Sequence, residues 1–169
     1  AAVLKRSQCF FSSALTIKSV LNLGNMDKGF PLEGIKMHIT MEADYAIRIV
    51  IYLARENRRV DANTISENTG VSLRFALKIL RNLVGSGLVR SFKGTQGGYE
   101  LNRAPQEITL RELLEVVEGP YMFSRCLEPS RPASCTRPSG DCCKPQQVFA
   151  EISRTVRQML EEVSIAQLI

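Results

Sequence analysis

At 169 residues, 44% hydrophobic and 23% charged, the chain has the make-up of a globular protein of about one domain with enough apolar mass for a real core. No stretch reaches the ~18 consecutive apolar residues that span a bilayer, and no apolar run precedes a small-residue cleavage site, so neither membrane insertion nor secretion is indicated and a cytoplasmic location is expected. The net charge of +5 is unevenly placed: residues 1–36 hold five basic and two acidic side chains, residues 37–103 ten and six, and residues 104–169 seven and nine.

Residues 1–36 show no period that joins a later element and are expected to be a leader or extension outside the fold, with Met37 as the natural first residue and Met26 as a second candidate. From Ile39 to about Arg55, apolar residues at 39, 43, 46, 47, 50, 51 and 54 recur at three and four, which predicts a first amphipathic helix. Thr64-Ile65-Ser66-Glu67 reads as a capping box for a short second helix that stops at Gly70. Ser72 then caps a third helix, with Leu73, Ala76, Leu77, Leu80, Leu83 and Val84 on its inner side, Arg74, Lys78 and Arg81 on its outer side, and Gly85 and Gly87 ending it.

Leu88-Val89-Arg90 and Tyr99-Glu100-Leu101 read as two short strands around the loop Lys93-Gly94-Thr95-Gln96-Gly97-Gly98, a hairpin with a basic tip. Thr109-Leu110-Arg111-Glu112 forms a second capping box, opening a helix through Leu113, Leu114, Val116 and Val117 that stops at Gly119-Pro120. Residues 124–145 hold Pro129, Pro132, Pro138 and Pro145 and read as a long loop, a kind that is usually functional or disordered. Beyond it, Phe149, Ile152, Val156, Met159 and Val163 are spaced as a coiled-coil seam, with Val148 and Leu160 beside it. That seam either joins a second copy or packs on its own domain; a dimer contact is the favoured reading.

The predicted fold is mainly α with a small β-hairpin wing: a winged helix-turn-helix over 37–103, then a sensor loop and a long C-terminal dimerisation helix over 104–169. Helix, short helix, the turn Gly70-Val71-Ser72 and a basic third helix compose a helix-turn-helix, whose third helix presents its N-terminal outer residues to base edges. The candidate DNA contacts are Ser72, Arg74, Phe75, Lys78 and Arg81 on the third helix, and Lys93, Thr95 and Gln96 on the wing. Residues 72–103 set six basic side chains against the single acid Glu100. Such a local excess suits a polyanion, although a solvated charged face has the same composition.

Four of the five cysteines, Cys126, Cys135, Cys142 and Cys143, lie within one 18-residue stretch. In a cytosolic chain this clustering points to metal or redox chemistry rather than disulfides. An iron–sulfur cluster, a zinc site and a thiol switch all remain open. A cysteine enzyme would need a base beside the thiol, and the only histidine, His38, is distant in sequence, so no catalytic site is expected.

Several short motifs then carry a resemblance. Ile39-Thr40 with Asp44-Tyr45-Ala46, Ile65-Ser66-Glu67, Gly70-Val71-Ser72, Gly87-Leu88-Val89, Gly94 with Gly97-Gly98-Tyr99, Ile108-Thr109-Leu110 and Glu118-Gly119 make the chain from Met37 onward resemble the IscR and NsrR family of winged-helix transcription regulators. The wing glycines are the most specific part. They permit positive φ in a turn expected to bring backbone close to DNA, with Tyr99 packing the wing onto the domain.

The resemblance implies a homodimer on double-stranded DNA carrying an inverted repeat, and an iron–sulfur cluster, [2Fe-2S] or [4Fe-4S], held by three loop cysteines and a fourth ligand. It implies Cys126, Cys135 and Cys143 as ligands, since Cys143 stands six residues before the aromatic Phe149, with Cys142 as the alternative. Gln146 occupies the place where some members carry a histidine. Asp44 matches the position from which an acidic ligand comes across the dimer in NsrR-like members; otherwise it is a helix N-terminal acid favoured by the helix dipole. The cysteine spacings are wider than those of IscR. Leu77 stands where IscR-like members often have a polar or acidic reader, so their operator preference does not carry over. Zinc, a thiol switch or no cofactor is the alternative.

Overall fold

The computed structural model describes residues 39–94, 96–127 and 143–169; the leader, Thr95, Cys135 and Cys142 lie outside them. The order is α1 (Met41–Glu56), α2 (Ala62–Thr69), α3 (Leu73–Gly85), β1 (Val89–Phe92), β2 (Gly98–Leu101), α4 (Leu110–Glu118) and α5 (Lys144–Glu161), with single 3-10 turns at Pro105–Glu107, Arg125–Leu127 and Ile165–Leu168.

α1 begins two residues later than the apolar spacing suggests. Thr40 is its N-cap and accepts a hydrogen bond from Ala43 N–H at 3.2 Å, which leaves Ile39 outside the helix and exposed. Ala43, Ala46, Val50 and Ala54 are buried as their period demands, together with Ile49 and Leu53. The helix ends where Asn57 turns left-handed at φ 45° and donates to Leu53 O.

α2 corrects a capping assignment. Its N-cap is Asp61, whose carboxylate accepts from the backbone of Asn63 (3.0 Å) and Thr64 (3.1 Å) and from the Thr64 hydroxyl (2.6 Å). A carboxylate offers more acceptor capacity than a threonine hydroxyl and favours the positive end of the helix dipole, so the cap moves three residues upstream. Gly70 at φ 68° closes the helix, as expected.

α3 corrects its inner face. Ala76, Ile79, Leu80 and Leu83 are buried, whereas Leu73 and Leu77 are each 39% exposed. Ser72 holds the N-cap position with no capping side-chain bond, leaving its side chain on the surface.

The hairpin pairs Val89 with Leu101 and Phe92 with Gly98, antiparallel. A further rung comes from before α2: Tyr99 N–H donates to Val60 O (2.8 Å) and Val60 N–H to Tyr99 O (3.0 Å). That rung gives a different reason for Gly98, and the tight hairpin turn gives one for Gly97. A Cβ on Gly98 would stand 2.7 Å from Val60 O, and one on Gly97 would stand 2.7 Å from Phe92 O. Gly98, at φ 155°, therefore admits the protein's own backbone. Tyr99 does pack on the core, as expected.

Thr109 caps α4, accepting from Glu112 N–H at 3.1 Å, but the Glu112 carboxylate pairs with Arg103 at 2.5 Å instead of reaching back to complete the box. Leu113 of α4 joins Ile108, Ile165 and the buried faces of α1 and α3 in one apolar cluster. The chain reaches Ile165 by leaving α5 at Glu161. Leu110 N–H then donates to Val163 O (2.8 Å) and Ile165 N–H to Ile108 O (2.9 Å). Val163, expected in the α5 seam, lies beyond the helix. α5 itself starts at Lys144 with Pro145 in its first turn, where proline's missing N–H and fixed φ suit a helix start. The region expected to be an irregular loop is thus bordered by a 3-10 turn at one edge and cut short by α5 at the other.

Candidate nucleic-acid interface and thiol pair

α2 and α3 meet at the turn Gly70-Val71-Ser72. The buried Val71 anchors it, and Ser66 Oγ donates to Val71 O at 2.7 Å. With that turn fixed and Ala76, Ile79, Leu80 and Leu83 directed inward, α3 exposes Ser72, Arg74, Phe75, Leu77, Lys78 and Arg81.

The basic stretch divides into two kinds of side chain. Lys78 pairs with Glu42 of α1 at 2.6 Å, Arg90 with Glu100 at 3.0 Å and Arg103 with Glu112 at 2.5 Å. Arg74, Arg81 and Lys93 have no ion pair or hydrogen bond to another described residue. Their charge is available to an external anion, whereas each of the other three must first exchange a carboxylate. Exposed pairs of that kind cost little to break, about 0–1 kcal/mol, so Lys78 stays within reach of an external anion at a small cost that Arg74, Arg81 and Lys93 do not have. Phe75, 47% exposed, meets Tyr45 of α1 edge-on at 6.2 Å between ring centroids.

Gln96, exposed like Lys93, is held through its backbone: Arg59 Nη1 donates to Gln96 O at 3.2 Å. The Arg59 guanidinium also lies 3.5 Å from the centroid of Phe92 and 4.0 Å from Glu100. Arg59 thus ties the segment before α2 to both strands and the tip of the wing. Neither this clamp nor the Glu42–Lys78 pair had a signal in the sequence, since each joins residues more than thirty positions apart.

The thiols lie between α4 and α5 in the chain. Cys126 sits exposed in the turn Arg125–Leu127, with Ser124 Oγ 3.1 Å from its Sγ. Cys143 is the half-buried N-cap residue of α5. Gln146 Nε2, in the first turn of α5, donates to Cys126 O at 3.2 Å, so the segments carrying the two thiols are fastened together at the two edges of residues 128–142. Thiols are the donors that iron–sulfur clusters and structural zinc require, and this pair fits as part of either donor set. Among the described residues no three His, Cys, Asp or Glu side chains converge on one point. Asp44 is engaged elsewhere, bridging to Arg48 in the next turn at 2.6 Å.

A helix-turn-helix with an exposed cationic third helix, followed by a clamped antiparallel hairpin, defines a winged helix-turn-helix protein of the transcription-regulator class. Residues 39–169 match the family model described as Rrf2, iron-dependent transcriptional regulator, and the chain belongs to that family. An rrf2-like HTH-type transcriptional regulator of Rhodobacter capsulatus is 31% identical over 141 residues, covering 78% of this chain and 91% of the relative.

Among solved structures, CymR of B. subtilis, titled the global cysteine regulator, matches with a TM-score of 0.61 at 25% identity over 78% of this chain and 95% of that one. The IscR of T. potens matches with a TM-score of 0.61 at 21% identity, over 79% and 86%, a likeness of fold. The resemblance and the fold class expected from the sequence both hold, and the family is one of regulators rather than enzymes. Among the described residues no helix is long and apolar enough to cross a membrane.

Proposed function

We propose that this regulator acts in the cytoplasm as a homodimer on an inverted-repeat operator in double-stranded DNA. Ser72, Arg74, Phe75, Lys78 and Arg81 of α3 enter the major groove, and Lys93, Thr95 and Gln96 of the wing meet the backbone or minor groove. The observation that carries this reading is the uncompensated charge of Arg74, Arg81 and Lys93 on elements the fold holds rigidly. Phosphate contacts release counterions, so affinity for duplex DNA falls steeply with salt, with a slope near −0.9 per contact. Fluorescence anisotropy with a labelled duplex library across a salt series tests it. Binding that ignores salt, or no binding at low salt, overturns the reading.

Within the same proposal, residues 37–103 form the DNA-binding unit and residues 104–169 the sensor. Cys126, Cys135 and Cys143, with Cys142 as alternative to the last, and Asp44 of the partner hold an iron–sulfur cluster that senses redox, iron or nitric oxide status. The fastening of Cys126 to the start of α5 supports it, because a change at the thiols is felt directly by α5. The cluster's contribution would be a change in the stability of that junction. Anaerobic protein that absorbs in the visible, contains iron and is bleached by Cys135→Ala meets the expectation; colourless protein with zinc favours the alternative site built from the same thiols.

A further inference from the structure

The first two turns of α3 offer a restricted chemistry. From Leu73 to Lys78 the exposed side chains are Leu73, Arg74, Phe75, Leu77 and Lys78, with no carboxylate and no amide among them. Carboxylates read the cytosine N4 amine and amides read adenine N6 and N7, so neither base has its usual partner here. Lys78 is drawn toward α1 by Glu42 and Phe75 by Tyr45. Both stay exposed, and beside them on the same stretch stand Arg74, which has no ion pair, and Leu73 and Leu77, one helical turn apart and each 39% exposed.

Helical spacing puts Leu77 beside Arg74 at i−3 and Arg81 at i+4. An exposed leucine flanked by two cations that lack carboxylate partners is poorly placed to bind another protein's apolar surface, which would have to desolvate both charges. It is well placed in a groove whose walls are phosphate and whose floor presents one apolar group, the thymine 5-methyl.

We propose that Leu77, with Leu73 behind it, reads thymine methyl groups in the operator, while Arg74 supplies the neighbouring guanine or phosphate contact. This rests on the DNA-binding reading above and gives it a base preference: each half-site carries thymine under the N-terminal half of α3.

The test begins with a duplex selected by the full-length protein from a randomised library. Each thymine is then replaced in turn by deoxyuridine, which removes the methyl and leaves base pairing intact. Loss of one buried methyl weakens binding about fourfold per half-site. In Leu77→Ala, checked for an unchanged thermal midpoint, thymine and uracil duplexes bind alike, while Arg74→Ala weakens binding but keeps the thymine preference. If the selected duplex shows no uracil effect at any position, or Leu77→Ala and Leu73→Ala both retain it, the assignment to these leucines is wrong and DNA binding stands. If no duplex is selected at low salt, the DNA-binding reading fails and this one with it.

Discussion

α3 and α5 differ in what holds them. α3 has 13 residues and buries four apolar side chains against α1, α2 and the wing. α5 has 18 residues and buries only Ser153, whose hydroxyl donates to Phe149 O (2.8 Å) and accepts from Phe123 N–H (3.0 Å). Its polar ties include Arg157 to Glu115 of α4 at 2.8 Å, Arg111 of α4 to Glu161, and Gln146 to Cys126 O at 3.2 Å. Val148, Phe149 and Met159 stay exposed, and Ile152 and Val156 are half-covered. A helix gains most of its stability from burying an amphipathic face. α3 has that within its own chain, whereas α5 leaves Val148, Phe149 and Met159 uncovered by the described residues. The contrast makes α3 a rigid platform, which in the proposed function reads DNA, and leaves α5 dependent on what covers it, there a second copy.

The largest expected effect tests the platform. Leu83→Ala empties a fully buried position and is expected to cost about 3 kcal/mol, seen as a loss of about 10 °C in the thermal midpoint. Met159→Ala, on the exposed face of α5, is expected to cost under about 0.5 kcal/mol in protein dilute enough to be monomeric. Equal losses would remove the distinction between the two helices. Next in size, Phe149→Asp with Met159→Asp is expected to shift sedimentation from two chains to one, weakening self-association on the order of a hundredfold, while the dilute thermal midpoint barely moves. If association survives, α5 is not the covered surface.

The same contrast explains what could be read from sequence. α4 carries its apolar residues on one side only, so spacing at three and four identifies its buried face, whereas α1 has more apolar positions than one face holds: the spacing missed the buried Ile49 and Leu53 and took in Ile47 and Ile51, which stay half-buried. α3 carries Leu73, Phe75, Ala76, Leu77, Ile79, Leu80, Leu83 and Val84, more apolar positions than one face holds, and the choice between Leu77 and Ile79 is made by the elements packed against it. That surplus is also why leucines reach the candidate DNA surface. The outward Arg74 and Arg81 were legible because a core does not accept unpaired guanidinium groups. Lys78 looked equivalent, and only the fold brings Glu42 to it. Val163 fitted the α5 seam by spacing, but the pairing of Leu110 with Val163 and Ile165 with Ile108 pulls the chain out of the helix. Cys126 and Cys143 were legible as thiols, and their fastening through Gln146 was not.

Smaller effects test whether polar ties inside the packed half resemble those of α5. Arg59→Ala removes the stacking on Phe92 and the bond to Gln96 O, and is expected to cost about 1 kcal/mol in stability and a few-fold in DNA affinity. Because Arg59 acts through the wing, its effect on affinity is expected to vanish in a Lys93→Ala background, and the salt slope is expected to stay unchanged. A salt slope reduced by about 0.9 would make Arg59 itself a phosphate contact.

The smallest effect belongs to the α2 cap. The Thr64 hydroxyl, then the Thr64 and Asn63 amides, hold the Asp61 carboxyl below its usual range. A carboxylate whose pKa is lower folded than unfolded contributes stability that is fully present above the unfolded value and is lost as pH falls through the folded one. Asp61 therefore supports α2 at neutral pH and releases it only in acid, below the ordinary carboxylate range. Asp61→Asn keeps an acceptor for the same amides but has no charge to lose. Thermal midpoints from neutral pH down to about pH 3 are expected to start slightly lower in this variant and to fall less steeply, so that the two curves converge in acid. Parallel curves would mean that the cap acts by its hydrogen bonds alone, with no contribution from the charge.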